Sequence, residues 1–417
     1  MTRKSQPTAS MSRRRLLSTV GAGAALAASP FRINLLQAQE ANIKIGFPVP
    51  LTGPYGTEAQ DQVRAAQLAI AQFNDAGGLD GRKAELVVRD DKLNPGEAAT
   101  RTLELVEKEK VNFVVGSLSA AVQLAINNVT KERGIIFNSI SQSDTINEAS
   151  DFSKYTFHEA LNPHITSGAV GRYAFSRFGK KVAFLTADYA YGHEMVRGFL
   201  EVGKAFNIEN LGDIRHPLGT TDFSTLLPRI QALKPDILCI SNFGRDQQIA
   251  LKQATDFGIK KTTQIIAPLL SHASRVAAGP QAFEGVIGGC SFYWGIEDKF
   301  ASTKAFNEAF RKMYDGKLPS DYGALGYGGV RTVLAAVKNA GSVDTDKVIA
   351  ALEDLKYDFY KGPQYYRTCD HQSVQSVLVI TSKSQGMRNE SDVFEVISTE
   401  EPDEANLRTC AELGHKA

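Results

Sequence analysis

Cysteine is scarce in this chain, and none of the four residues (Cys239, Cys290, Cys369, Cys410) lies in a C-x-x-C pair. That spacing argues against a thiolate metal cluster. The seven histidines, at 158, 164, 193, 216, 272, 371 and 415, lack zinc-ligand spacing, so no metal site is expected. Catalytic signatures are missing too. There is no G-x-x-x-x-G-K-[ST] phosphate loop. The nearest approach to a G-x-S-x-G nucleophile elbow, GSLSA at 116–120, lacks serine at its third position. Asp90 and Asp91 precede KLNP and read as a solvated turn rather than as an acid–base pair. Neither an enzyme nor a bound cofactor is expected from this inventory. No run in the body of the chain is long and apolar enough to cross a bilayer.

Charge of one sign is also missing from the body. The formal net charge of +1 is set by residues 1–38, which hold Arg3, Lys4, Arg13, Arg14, Arg15 and Arg32 and no acid. The rest carries 41 basic against 46 acidic residues, a balance of −5. A mildly acidic body does not suit nucleic acid, which requires a basic face. The N-terminal order is a basic stretch (SRRRLL, 12–17), a short weakly apolar stretch, then small residues. That order predicts an export signal over 1–38 of twin-arginine-like type, cleaved near Ala38 after LQA. An exported chain favours disulfides. Cys369 and Cys410 flank the C-terminal segment in polar surroundings and are expected to pair, contributing about 4 kcal/mol on the chain-entropy account. Cys239, inside DILCI, and Cys290 read as buried free thiols.

What is present is an alternation of strand and helix. Strands are predicted at 42–49, 84–90, 111–116 and 134–141, with helices at 58–74, 94–110 and 119–132 between them. Asn94, Pro95 and Glu97 occupy N-cap, N1 and N3 of the second helix. The pattern then restarts. A helix is predicted at 162–179 with Asn162 and Pro163 as cap and N1, then strands at 180–188, 236–241, 263–268 and 285–289, and a helix at 221–230. Two α/β units of similar size follow one another without a Pro/Ser-rich linker, which predicts parallel sheets covered on both faces. Helical patterns at 298–314, 321–340 and 345–355 precede extended chain at 360–382. The last stretch, 401–417, is polar.

In open parallel sheets ligands lie beyond the carboxyl ends of the strands. The loops there are PLTGPYG (50–56), GSLSA (116–120), NSISQS (138–143), TADYAYG (186–192), SNFGRD (241–246) and APLLSH (267–272). They offer hydroxyls, aromatic faces and bare amides. The strand–Gly–Ser–helix junction at 114–126 suits a phosphate, a nucleophile or a small ligand; the helix start near Ser119 directs unpaired N–H groups at an anion.

The ordered set IKIGFPVPLTGPYG, AAQLAIAQFNDAGGLDGRKAELVVRDD, VVGSLSAAV, LTADYAYGHEM and TDFSTLLPRIQALKPDILCI resembles the leucine/isoleucine/valine-type periplasmic solute-binding proteins of ABC transporters over about 42–370. The resemblance implies a type I fold: two Rossmann-like lobes joined by three hinge crossovers, here near 157–159, 292–294 and 361–364. It implies an N-terminal lobe of 42–158 plus 293–362 and a C-terminal lobe of 159–292 plus 363–400. It implies a monomeric periplasmic carrier that closes on a small solute and delivers it to membrane permease subunits. Carried over position by position, the ligand carboxylate meets Ser119, Ala120 and Ala121, with Ser141 and Gln142 from the next loop. Tyr55, Tyr191 and Phe243 supply aromatic contacts. Amino-acid binders of this family place an acidic residue where this chain has Leu269. An ammonium buried there would lack its partner at a cost of about several kcal/mol. Asp188 or Asp246 could substitute for that acid; with Tyr293 and Trp294 also expected near the cleft, an aromatic or apolar carboxylate is the expected cargo. A ligand-reading receptor module and an exported α/β enzyme are the alternative readings.

Overall fold

The computed structural model describes residues 41–416, which form one compact unit. The expected export signal at 1–38 and its cleavage point at Ala38 lie outside the described residues. The first sheet contains β1 (Ile43–Val49), β2 (Ala84–Asp90), β3 (Phe113–Gly116), β4 (Phe137–Ser139) and β5 (Thr156–His158). Their order is β2-β1-β3-β4-β5, and every neighbouring pair is parallel. Apolar side chains on both faces of β1 and β3 explain why helices must cover both faces. The helix Gly56–Asp75 packs along the helix Asp321–Ala340, which also lies on β3 and β4. The late helices therefore return to the first sheet.

The second sheet begins with β6 (Lys181–Ala187), β7 (Glu209–His216), β8 (Ile237–Ser241), β9 (Gln264–Leu269) and β10 (Ile287–Cys290). The short strands β11 (Lys356–Tyr357), β12 (Gln364–Tyr366) and β13 (Ser373–Val374) form a small antiparallel sheet of their own. After them β14 (Val377–Ser382) and β15 (Phe394–Glu400) join the second sheet antiparallel at its edge, giving the order β15-β14-β10-β9-β8-β6-β7.

Local chemistry sets several boundaries. Asn94 accepts a hydrogen bond from the Glu97 amide at 2.9 Å with Pro95 behind it, and Asn162 accepts from the Ile165 amide at 2.9 Å with Pro163 behind it. The helix expected at 221–230 instead starts at Leu227. Pro228 has no N–H and fits only the first turn, so 221–223 is irregular and 224–226 a turn ahead of it. β5, β7 and β15 were not expected. β7 and β15 are edge strands whose mixed polarity carries little period-two signal, and β5 is only three residues long.

The segments that pass between the two sheets are tied in a buried polar knot. Glu159 accepts hydrogen bonds from the hydroxyls of Tyr357, Tyr360 (3.0 Å) and Tyr366 (2.8 Å) and from the Gln364 amide (3.3 Å). Lys361 donates to the Ser291 carbonyl (2.8 Å), the Ser376 carbonyl (3.3 Å) and the Gln375 side chain. Gln375 in turn donates to the Glu159 carbonyl at 2.6 Å. Burial pushes the Glu159 carboxyl up and the Lys361 ammonium down to about 7, although Glu159 partly holds the lysine charged. Cys369 and Cys410 are bridged, joining the segment before β13 to the C-terminal stretch; Cys239 and Cys290 are free and buried. Lys361→Met leaves three buried acceptors without their donor. A loss of about 2–3 kcal/mol is expected, read as a lower urea midpoint with an unchanged slope.

Candidate functional site

Strand order dictates where the site forms. From β1 the chain passes to β2 on one side, and from β3 it passes to β4 on the other, so a crevice opens between the carboxyl ends of β1 and β3. β6 lies between β7 and β8 and opens the equivalent crevice in the second sheet. The two crevices face each other. Tyr55, after β1, hydrogen-bonds through its hydroxyl to the Tyr189 hydroxyl, after β6, at 3.0 Å. Its ring also meets Phe243, after β8, edge-on at 5.1 Å.

Two glycines permit this approach. A Cβ on Gly192 would lie 2.1 Å from the Ala187 carbonyl, so the helix Ala190–Gly203 could not start so close to β6. Gly244 has φ +61, and a Cβ there would lie 2.5 Å from the Tyr55 ring on the opposite lobe.

Between the lobes is a cavity of about 10 Å³, the size of one water. Leu118, Ala120, Ser141, Gln142 and Tyr322 line it from the first lobe, and Tyr189, Tyr191 and Phe243 from the second. Four of the eight are aromatic. Phe243 and Tyr322 are 5.0 Å apart, and Tyr189 and Tyr191 are 5.9 Å apart. Among the described residues, no carboxylate, lysine or arginine lines the wall.

Polar groups at this wall are available to a ligand. The Tyr191 hydroxyl is buried and has no hydrogen-bond partner among the described residues, in a residue only 4% exposed. Buried polar atoms are rarely left unpaired, so an unpaired one at a cavity needs a reason. Ser119 is the N-cap of the Ala120–Arg133 helix, yet its side chain makes no capping bond. The first-turn amides therefore keep their donors, and the positive end of the helix dipole favours an anion there. Burial raises Tyr55, Tyr189, Tyr191 and Tyr322 well above the usual phenol range, so all four remain neutral donors.

Carboxylates seal the seam around the cavity. Glu58 accepts from the Ser271 (3.1 Å) and Ser274 (2.6 Å) hydroxyls, and Asp321 from the His272 amide at 2.9 Å. From the second lobe, one oxygen of Glu194 accepts from Ser143 (3.0 Å) and from the Thr145 amide and hydroxyl. Its other oxygen is buried and unpartnered. Burial and the nearby Asp144 push Glu194 up to about 7.

The structure places Ala120, Ser141, Gln142, Tyr191 and Phe243 on the cavity wall. Ser119 and Ala121 flank it at the helix start, and Tyr55 supports it from behind Phe243. Leu269 is buried beneath, its carbonyl accepting from Gln247 at 2.9 Å, and does not line the wall. Trp294 is not at this cavity. Its Nε1 donates to the Ser391 carbonyl at 2.9 Å beneath the Arg388 guanidinium, because the 384–392 loop folds onto it. Leu118, Tyr189 and Tyr322 were not anticipated. Tyr189 stands two residues before Tyr191 in the same loop, a visible signal. Tyr322 comes from a distant helix and only tertiary packing reveals it.

Residues 42–387 match the periplasmic binding protein family. A Leu/Ile/Val-binding protein homolog from Brucella suis is 26% identical over 332 residues, covering 78% of this chain and 84% of the relative. A periplasmic binding protein from Burkholderia mallei superposes with a TM-score of 0.82 at 30% identity, covering 88% of this chain and 96% of the other. A solute-binding protein of an ABC transporter from Rhodopseudomonas palustris BisB5, in complex with 3,4-dihydroxybenzoic acid, superposes with a TM-score of 0.78 at 23% identity, covering 87% and 98%. Facing crevices, a shared cavity and these likenesses lead to one conclusion: the chain belongs to the periplasmic binding protein family.

Proposed function

We propose that this chain is the extracytoplasmic carrier of an ABC importer and that its cargo is a small aromatic carboxylate. The observation that carries the reading is the cavity wall. Four rings, an unpartnered buried Tyr191 hydroxyl and an uncapped helix start meet there with no carboxylate. Rings bury an aromatic face, while the helix amides and the phenol hydrogen-bond a carboxylate. An α-ammonium would find no charged partner on that wall, which disfavours a free amino acid. The benzoate-type ligand held by the neighbour from Rhodopseudomonas palustris supports the choice, since it shows a fold of this kind accepting such a molecule.

The working cycle follows from geometry. The lobes proposed as 42–158 plus 293–362 and 159–292 plus 363–400 rotate about the knot at Glu159 and Lys361. A ligand larger than water enters only when the walls part, and it touches both walls only when they meet again. It therefore binds the closed form better and shifts the population toward it. A micromolar ligand supplies about 8 kcal/mol, ample to offset a few kcal/mol of closing cost. Permease subunits then recognise the closed monomer. Export to the periplasm through the 1–38 signal accords with family membership.

Two measurements test this. Isothermal calorimetry with benzoate, 4-hydroxybenzoate and leucine should show tighter binding of at least one aromatic acid, and Tyr191→Phe should weaken it about tenfold or more, the loss of one hydrogen bond to a charged group. Preference for leucine would overturn the cargo assignment. Gly244→Ala adds a methyl against Tyr55, so it should weaken binding of the same acid and enlarge the radius of gyration of the acid-bound protein by small-angle scattering. An unchanged radius and affinity would contradict closure through this contact.

A further inference from the structure

The seam holds a second arrangement that cargo capture does not use. Glu58 lies in the first turn of the Gly56–Asp75 helix, and Asp321 opens the Asp321–Ala340 helix. Both belong to the first lobe, and they are only 1% and 3% exposed. What covers them comes from the second lobe: the Ser271 and Ser274 hydroxyls on Glu58, and the His272 amide on Asp321. All these partners are neutral donors.

The charged groups nearby have other partners. Asp61, on the helix of Glu58, pairs with Arg64 and adds further negative charge beside both carboxyls. Arg275, from the second lobe, directs its guanidinium to the Ser382 hydroxyl at 2.6 Å and the Lys383 carbonyl at 2.5 Å. His272 bonds through Nε2 to the Ser391 carbonyl at 3.0 Å, and burial lowers its pKa, favouring the neutral ring. Tyr322 and Cys290, also near Asp321, stay neutral because burial raises them.

We propose that closing the seam takes up protons: Glu58 and Asp321 are solvated when the lobes part and are sealed among neutral donors of the second lobe when they meet, so acid favours the closed, cargo-holding form. This rests on the hinge-closure reading above. The helix starts oppose it, since each dipole favours an anion. Desolvation outweighs them, raising Glu58 and pushing Asp321 up to about 8. The sign follows. A carboxyl with an ordinary value of about 4 when open and a raised one when closed adds to closure fully below the open value. That contribution is lost as pH rises through the closed value, about 8 for Asp321. Inside that window each carboxyl that gains a proton steepens affinity by as much as about tenfold per pH unit.

The test uses the full chain. Calorimetry with benzoate at pH 6.5, in buffers of different ionisation enthalpy, should show net proton uptake on binding, and the dissociation constant should rise about tenfold or more from pH 6 to pH 8. Glu58→Gln with Asp321→Asn should bind at pH 8 with less uptake than the wild type and a flatter profile, Glu194 at the other edge supplying the remaining uptake. Binding without uptake, or a double variant with the wild-type pH profile, would overturn the proposal. If benzoate does not bind, the cargo reading is at fault, and small-angle scattering of the ligand-free protein decides this one. A smaller radius at pH 5.5 than at pH 8.5, lost in the double variant, supports it; equal radii overturn it.

Discussion

Each parallel sheet opens its crevice where connections from adjacent strands depart to opposite sides, and the fold sets these two crevices face to face. β1 and β6 border them. Much of what is chemically available at the seam comes from the strand ends beside them, with Tyr322 added from the Asp321–Ala340 helix. Ser119 and Ala120 start a helix above β3, and Phe243 precedes one above β8. The contact between Tyr55 and Gly244 sets how closely the halves approach.

The seam is polar at its edges and aromatic at its centre, which divides its tasks. The centre offers rings and neutral donors, suited to recognising a flat anion without a counter-charge. The edges carry Glu58, Glu194 and Asp321, each bonded across the gap to hydroxyls or amides. The hinge knot is different in kind. Glu159 and Lys361 stay within segments that run between the lobes, so their bonds can persist while the edge contacts form and break.

Much of the fold was legible because its signals are local. Asn94-Pro95 and Asn162-Pro163 mark helix starts by the missing proline N–H and the amide side chain that caps. The strand runs of β1, β6 and β8 are apolar with few interruptions, and β2 carries the apolar centre Leu86–Val88 between charged ends. Leu227 as a helix start was misjudged because the apolar spacing from Phe223 onward continues through a segment that Pro228 keeps out of the helix. The site was legible where it sits in strand-end loops, as with Ser141, Gln142, Tyr191 and Phe243. It was not legible where distance in sequence hides it: Tyr322 reaches the wall from a helix more than a hundred residues beyond the second crevice's first loop. Trp294 illustrates the reverse. Its position beside a crossing segment suggested the cleft, but the 384–392 loop gives its ring and N–H a fuller set of partners elsewhere.

In the proposed complex one aromatic acid is held jointly by a helix start of the first lobe and the phenol of the second. A crystal structure of the protein with a bound aromatic carboxylate tests it most directly. The carboxylate is expected within hydrogen-bond distance of the Ala120 or Ala121 amide and of the Tyr191 hydroxyl, with the ring among Tyr189, Phe243 and Tyr322. A ligand lodged outside this seam, or one whose carboxylate points away from the Ala120 helix start, would contradict it.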